Sequence, residues 1–253
     1  MRTGYAERRA HAMVSREVIV HDAIEPCPYL EGRSARLPHR WQRMALSPTE
    51  VDEALARGDR RAGPMLYRPT CPSCQACEAL RLPVDALVHS RSQRRAWKKN
   101  QDLRVEVGGA TCSEARLALF NRHKMERGLA RRETPMTAEG YTSWFLRSCC
   151  PTIEMRYLLG DKLIGVGILD VGARDLSSVY FYFDPDHEDR SLGTFSVLFE
   201  CAWLRGRGGR YHYLGLYAEG SRHIEYKARF YPHERLVGGV WRRVDGPEAP
   251  PLP

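Results

Sequence analysis

With 253 residues, 43% hydrophobic and 28% charged, the chain has the composition of a globular protein and the length for one large core or two modest ones. No apolar run approaches the ~20 residues that span a bilayer, and the charged start Met1-Arg-Thr-Gly-Tyr-Ala-Glu-Arg-Arg9 lacks the apolar stretch of a secretory signal, so a cytoplasmic protein without membrane attachment is expected. A formal net charge of +8 favours acidic partners, phosphate backbones first, or otherwise means only solubility.

Glu17-Val-Ile-Val-His21 predicts a short strand, ahead of a turn at Cys27 and a basic stretch over 33–43. Ser47-Pro-Thr-Glu50 predicts a helix start: serine caps, proline takes the first turn and Glu50 closes a capping box. Val51, Ala54 and Leu55 supply its apolar stripe and Gly58 its end. Then comes Thr70-Cys-Pro-Ser-Cys-Gln-Ala-Cys77. Thiols at two-residue spacing can turn inward on one loop, so Cys71, Cys74 and Cys77, with Cys27 as a fourth, are a candidate metal set. Zinc, an iron–sulfur cluster and a reduced metal-free thiol cluster all fit this spacing, whereas disulfides do not suit a reducing compartment. Cys112, Cys149, Cys150 and Cys201 fall in apolar or helical patterning and are expected to be small buried side chains.

Residues 80–88 predict a strand broken by Pro83, hence an edge strand. On a helix, the run Ser90-Arg-Ser-Gln-Arg-Arg-Ala-Trp-Lys-Lys-Asn100 puts Arg91, Arg95 and Lys98 or Lys99 on one side, with Trp97 off that side as an anchor. Arg91, Arg94, Arg95, Lys98 and Lys99 are candidate contacts to an RNA backbone, read by phosphate and shape; a solvated face is the alternative. Leu103-Arg-Val-Glu-Val107 alternates as a strand and Gly108-Gly109 closes it, which sets an expected boundary between a Cys-containing α+β domain, 1–108, and a second domain, 109–245.

Helices are predicted from Thr111 to about residue 127 and from Thr137 onward, followed by strands at 153–159, 163–171 and 177–183. A polar turn then leads into a helix with Phe195, Leu198, Phe199 and Ala202 on one face, and 211–215 is a further strand. The Pro-rich tail 246–253 is expected to be disordered. An antiparallel meander, a turn, a long helix and a returning strand make the order of a GNAT-type α+β fold, in which that turn holds phosphates on free backbone N–H groups. Here the turn is Arg190, Ser191, Leu192, Gly193 and Thr194, with a plain helix cap as the alternative.

Strings spread from Cys27 to Trp241 resemble the bacterial aminoacyl-tRNA–protein transferases, the arginyl/leucyltransferase family. They are Cys27-Pro-Tyr-Leu-Glu-Gly-Arg33, Tyr67-Arg-Pro-Thr-Cys71 running on to Cys77, Leu80-Arg-Leu-Pro83, Ser90-Arg-Ser-Gln-Arg-Arg95, Arg190-Ser-Leu-Gly-Thr194, Tyr213-Leu-Gly215 and Tyr226-Lys-Ala-Arg-Phe230. The resemblance implies transfer of an amino acid, leucine favoured over arginine, from charged tRNA to the α-amine of proteins beginning with Asp or Glu, a step of N-degron protein degradation. It also implies a C-terminal GNAT-like domain with a mostly antiparallel sheet, and iron–sulfur or haem regulation at the N-terminal cysteines of some relatives. Two stretches depart from the family: Leu216-Tyr217-Ala218 stands where Tyr-Trp-Ile is usual, and Gly220-Ser221-Arg222-His223-Ile224 where Gly-Cys-x-Lys-Met is usual.

An aminoacyl ester is already activated, and an α-amine with a pKa of ~7.7–8.0 is partly neutral at cell pH, so alignment and oxyanion stabilisation are expected to supply most of the rate with no cofactor. No Ser/His/Asp or Cys/His set stands out; His212 is a weak candidate proton shuttle. A fork of donors suits an acceptor's carboxylate, and the candidates are Arg81, Arg95, Lys227 and Arg229, with Tyr226 in the same segment. Tyr180 and Tyr182 share a strand face and either line the acceptor channel or pack in the core. A CoA-dependent N-acetyltransferase and a non-catalytic, metal-stabilised RNA-binding module are the alternatives.

Overall fold

The computed structural model describes residues 16–129 and 134–246; the expectations for the charged start and for the tail after 246 lie outside the described residues. The first part of the chain contains β1 (Glu17–His21), β2 (Ile24–Pro26), β3 (Ser34–Arg36), β4 (His39–Gln42), α1 (Pro48–Ala56), β5 (Arg60–Ala62) and β6 (Met65–Tyr67). Strands in the order β1-β4-β6-β5 form one small sheet, and β2 pairs with β3. The capping box on α1 is present: Ser47 Oγ accepts from the Glu50 N–H, while the Glu50 carboxylate accepts from the Ser47 N–H at 2.8 Å.

The remainder comprises β7 (Glu78–Pro83), α2 (Arg91–Lys99), β8 (Leu103–Gly109), α3 (Glu114–Glu126) and the single-turn α4 (Ala138–Tyr141), which continues as a π-helical turn over Thr142–Leu146. After these come β9 (Thr152–Leu159), β10 (Lys162–Val171), β11 (Leu176–Phe183), α5 (Leu192–Arg205), β12 (Tyr211–Tyr217), β13 (His233–Val237) and β14 (Val240–Val244). Eight strands make one sheet in the order β14-β13-β7-β12-β11-β10-β9-β8, and every pair is antiparallel except β11 with β12. The fold is α+β with a large, mostly antiparallel sheet, as the element order predicts. Leu80, Leu82, Met155, Tyr157, Leu169, Phe195 and Leu198 pack between the sheet and α5, each large side chain contributing roughly 1.5–3 kcal/mol on burial.

Two expectations are revised. The strand ending at Pro83 is no edge: β7 lies between β12 and β13, and Pro83 is its last residue, opposite Tyr211, so its missing N–H interrupts no ladder. β8 also runs two residues past the alternation, since Gly108 and Gly109 pair with Glu154 and Ile153 before the strand ends at Gly109. The large sheet therefore takes strands from both sides of the 108/109 boundary. The small sheet is fastened to it by the Arg61–Asp170 ion pair at 2.8 Å, with both side chains buried. From α1, Asp52 accepts the N–H groups of Arg174 and Asp175.

The parallel pair positions the site. β11 and β12 pair only at Leu176 with His212 and at Ser177 with Tyr213, then separate. Both strands are bulged at that point. Leu169 and Ile168 oppose Ser178 and Tyr180, which leaves Val179 as the extra residue of β11. Arg81 and Leu80 oppose Tyr213 and Gly215, which leaves Leu214 as the extra residue of β12. A bulge bends its strand and shifts the inside–outside alternation by one. Tyr180 and Tyr182 therefore join Phe120, Tyr141 and Phe145 on the α3 side, while Ser178 reaches Glu200 of α5 on the other. Gly215 adopts φ +96°, a region in which a Cβ is strained.

Candidate active site

Two cations meet where the strands separate. Arg60 is buried; Nη1 donates to Ser177 Oγ at 2.9 Å and Nη2 to the Ser178 carbonyl at 2.8 Å. Lys227, in the 3₁₀ turn Glu225–Arg229, donates from Nζ to the Leu216 carbonyl at 2.9 Å. A Cβ built on Gly215 would lie 3.1 Å from Arg60 Nη2 and 3.2 Å from Lys227 Nζ, so the glycine leaves room for both. Neither cation has an ion pair among the described residues, since the neighbouring Asp170 is committed to Arg61. Burial, together with the nearby guanidinium, pushes the Lys227 ammonium down to about 7, and burial holds Arg60 below its ordinary value. A buried guanidinium and a half-buried ammonium without a carboxylate partner suit an anion.

Beside them, on the α5 side, Ser178 Oγ lies 2.8 Å from Glu200 Oε2 and 2.8 Å from His212 Nε2. His212 Nε2 is 2.9 Å from the same carboxylate oxygen. His212 is fully buried, so the shuttle expected from its place in the sequence cannot meet a substrate. Ser178 is the member of this set that is only half-buried.

The remaining expected site residues are dispersed. Arg81 belongs to the packing of the sheet: β7 puts it opposite Tyr213 and Glu234, it pairs with Glu234 at 2.7 Å and donates to Tyr213 Oη at 2.9 Å, and it lies between the rings of Tyr211 and Trp241. With its donors so occupied, it is not an acceptor fork. Tyr182 is core, its hydroxyl 2.7 Å from that of Tyr141. Tyr180 is half-buried, with burial and the nearby Tyr226 pushing its phenol up to about 12, and Tyr226 is exposed. Arg229 is exposed, and its carbonyl accepts from Gln93 of α2 at 3.1 Å.

Arg95 lies on the outer face of α2 with Arg91, Arg94 and Lys98, all exposed and without ion pairs among the described residues. That places it with the other exposed cations of α2 and not with Arg60 and Lys227. Lys99 differs, pairing with Asp189. The Arg190 guanidinium is engaged by Asp102 through two 2.9 Å bonds, which hold it away from a free phosphate role. Leu192 is fully buried, Ser191 takes a left-handed conformation without a side-chain cap, and a Cβ on Gly193 would meet nothing within 4 Å. Thr194 closes the turn, its N–H bonded to the Ser191 carbonyl at 2.9 Å. Asn100 at the end of α2 donates to the Arg190 carbonyl at 2.8 Å, so α2 links this turn to the Lys227 segment.

The four candidate thiols line one cavity of about 380 Å³ with Tyr29, Leu30, Thr70 and Leu236. Three of them accept N–H donors: Cys27 from Leu30 at 3.4 Å, Cys71 from Arg36 at 3.3 Å and Cys74 from the Arg33 guanidinium at 3.4 Å. The backbone N–H of Ala76 and then Arg33 lower the Cys74 thiol, while burial and the three other thiols push Cys77 up to about 12. The donor chemistry fits a thiophilic ion, yet among the described residues no three His, Cys, Asp or Glu side chains are gathered closely enough to hold one.

Arg60, Ser178 and Glu200 are the site residues that no local pattern announced as functional. Glu200 had one signal: it falls on the buried stripe of α5 with Val197, Cys201 and Leu204, where a lone acid is out of place. Arg60 had none, because its neighbours Asp59 and Arg61 are equally charged and equally buried.

The model of the arginine-tRNA-protein transferase N terminus matches residues 25–95, and that of its C terminus matches residues 115–237. Aspartate/glutamate leucyltransferase of Aeromonas hydrophila is 33% identical over 235 residues, covering 92% of this chain and 98% of its own. The enzyme of that name from Stenotrophomonas maltophilia is 38% identical over 233 residues, covering 87% and 90%. Among solved structures, L-PGS from Bacillus licheniformis aligns over 70% of this chain and 52% of its own at 10% identity and a TM-score of 0.42. Among the described residues no helix is long and apolar enough to cross a membrane. Matched along both halves, the chain belongs to the arginine-tRNA-protein transferase family and is an aminoacyl-tRNA–protein transferase.

Proposed function

We propose that the chain transfers leucine from leucyl-tRNA to the α-amine of proteins beginning with Asp or Glu, in the cytoplasm, as a step of N-degron degradation. The uncompensated pair Arg60 and Lys227 carries this reading: an acidic side chain is the countercharge both cations lack, and its entry holds the adjoining α-amine beside Ser178. The names of the two leucyltransferase relatives support leucine as the transferred residue. The tRNA stem rests on Arg91, Arg94, Arg95 and Lys98, and its charged 3′ end approaches along α2 towards the Gly193 turn.

At the cysteine cavity, Cys27, Cys71, Cys74 and Cys77 would hold zinc or an iron–sulfur cluster by drawing closer together than they now stand. Such a group would brace the β2–β3 pair against the segment between β6 and β7, and no step of the transfer passes through it.

The functional test is incubation of purified protein with radiolabelled leucyl-tRNA or arginyl-tRNA and peptides beginning with Asp, Glu or Ala. Label should pass from leucyl-tRNA to the Asp and Glu peptides and not to the Ala peptide. Absence of transfer to the acidic peptides, with folded protein and charged tRNA verified, would refute the assignment.

A further inference from the structure

Glu200 is a carboxylate for which positioned acyl transfer alone provides no task. It stands among buried apolar side chains of α5, where an acid is tolerated only if it is well hydrogen-bonded. Oε2 is held by Ser178 Oγ and by His212 Nε2, whereas Oε1 accepts no hydrogen bond among the described residues. Gly167 keeps that oxygen uncrowded, since a Cβ there would come within 3.3 Å of Oε1. The other ring nitrogen, His212 Nδ1, is 3.4 Å from Cys201 Sγ. Burial pushes that thiol well up, so it remains S–H and donates to Nδ1, which assigns the ring proton to Nε2, facing Glu200. A chain of donors thus ends on one carboxylate oxygen, and its outermost member is the half-buried Ser178.

Ser178 is also the first residue of β11 beyond the pairing with β12, and its carbonyl is the acceptor that fixes Arg60 Nη2. The anion receptor and the hydroxyl are therefore parts of one local arrangement. An Asp or Glu residue whose side chain reaches Arg60 and Lys227 has only a short connection back to its own α-amine. An amine on so short a tether would reach Ser178 Oγ, since the carbonyl of the same residue is bonded to Arg60.

We propose that Ser178 and Glu200 form a proton relay for the transfer, a role that rests on the acidic-acceptor reading of the same site. A neutral amine needs no base in order to attack, but its nitrogen becomes cationic as the C–N bond forms. Ser178 Oγ takes that proton and passes its own to Glu200. The C–O bond to the tRNA ribose then breaks, and the proton returns through Ser178 to the leaving ribose oxygen. Amine and ester become amide and alcohol, with no other reactant and Glu200 restored. Ser178 is the catalytic group; Glu200 receives its proton, and His212 is a positioning residue. Removing such a relay costs about 10²-fold or more in rate.

The experiment compares wild type, Ser178→Ala, Glu200→Gln and the double variant in steady-state transfer from leucyl-tRNA to an Asp-initiated peptide, with pH–rate profiles and thermal melts. Each single variant should lose about a hundredfold in kcat with KM for the peptide within about twofold, and the double variant should be no slower than either single, because one relay is lost only once. The acid limb of the pH–rate profile, which the acceptor's own amine imposes, should persist in both variants. Retention of at least a third of kcat by Ser178→Ala overturns the relay, as does multiplication of the two losses in the double variant. Should Glu200→Gln fail to fold, Ser178→Ala, which removes one hydroxyl, decides alone. A wild type that transfers nothing would instead defeat the functional reading, whereas an active wild type with unaffected variants defeats only the relay.

Discussion

Lys227 should make capture of an acidic N-terminus weaken with rising pH, opposite to the trend of the amine's own nucleophilicity. Burial, with Arg60 close by, brings its ammonium down to about 7. A bound carboxylate supplies the missing countercharge and favours the protonated form, so the acceptor binds that form selectively. About half of the free protein carries the charge at pH 7, roughly a tenth at pH 8 and about a hundredth at pH 9. Kd for an Asp-initiated peptide should therefore rise about fivefold from pH 7 to 8 and nearly tenfold more to pH 9. Calorimetric titration without tRNA measures this directly. Lys227→Arg provides the control, because its guanidinium stays charged across the range while the peptide's own amine titrates identically against both proteins. The reasoning is refuted if wild-type Kd is flat between pH 7 and 9, or if the arginine variant is equally steep.

Neutralising Arg91, Arg95 and Lys98 together to Gln should weaken tRNA binding and flatten its dependence on log salt by about 0.7–0.9 for each phosphate no longer neutralised. Peptide binding should be unchanged, and an unaltered salt slope in a filter-binding titration would remove RNA from this face of α2. Reconstitution under reducing conditions with zinc, or with iron and sulfide, should load up to one ion or cluster per chain and raise Tm, with loading abolished in Cys71→Ser. Metal analysis that finds none under either condition leaves a thiol cluster without an ion.

Much of the frame could be read locally. The Ser47–Glu50 capping box, the alternation over 103–107 and the meander from β9 to β11 are signals contained within a few residues, and each element forms where its signal lies. What was illegible depends on partners far along the chain. Arg81 looks like a free fork until β7 inserts beside Tyr213, 132 positions away, and Glu234, 153 positions away. Arg60 looks like its neighbours until it reaches Ser177. Ser178 would share the Tyr180 face by simple alternation, and only the bulge at Val179 turns it to Glu200. The site is thus composed mostly of exceptions to local rules, and that is where pattern reading loses force.

Arg60 and Arg61 form a natural experiment on why those exceptions persist. They are adjacent on β5 and similarly buried, yet Arg61 has Asp170 and Arg60 has no carboxylate. Replacing Arg61 by Met strands a buried carboxylate and should cost about 3–5 kcal/mol. Replacing Lys227 by Met removes one of two unpaired cations and should stabilise the free protein by about 1–3 kcal/mol, a rise of several degrees in Tm. That gain should be largest well below pH 7. There wild-type Lys227 is charged in both folded and unfolded chains, and the gain should shrink as pH rises towards the ordinary lysine value of 10.5, because only the unfolded side chain still holds its proton in that window. The same variant should lose tenfold to a hundredfold in affinity for Asp peptides, the worth of about 1.5–3 kcal/mol for a charged hydrogen bond. A protein made more stable and less able to bind its acceptor would identify the missing countercharge as part of the substrate. A Lys227→Met variant that melts earlier than wild type at pH 7 would instead make the ammonium a structural tie to Leu216, and the receptor would reduce to Arg60 alone.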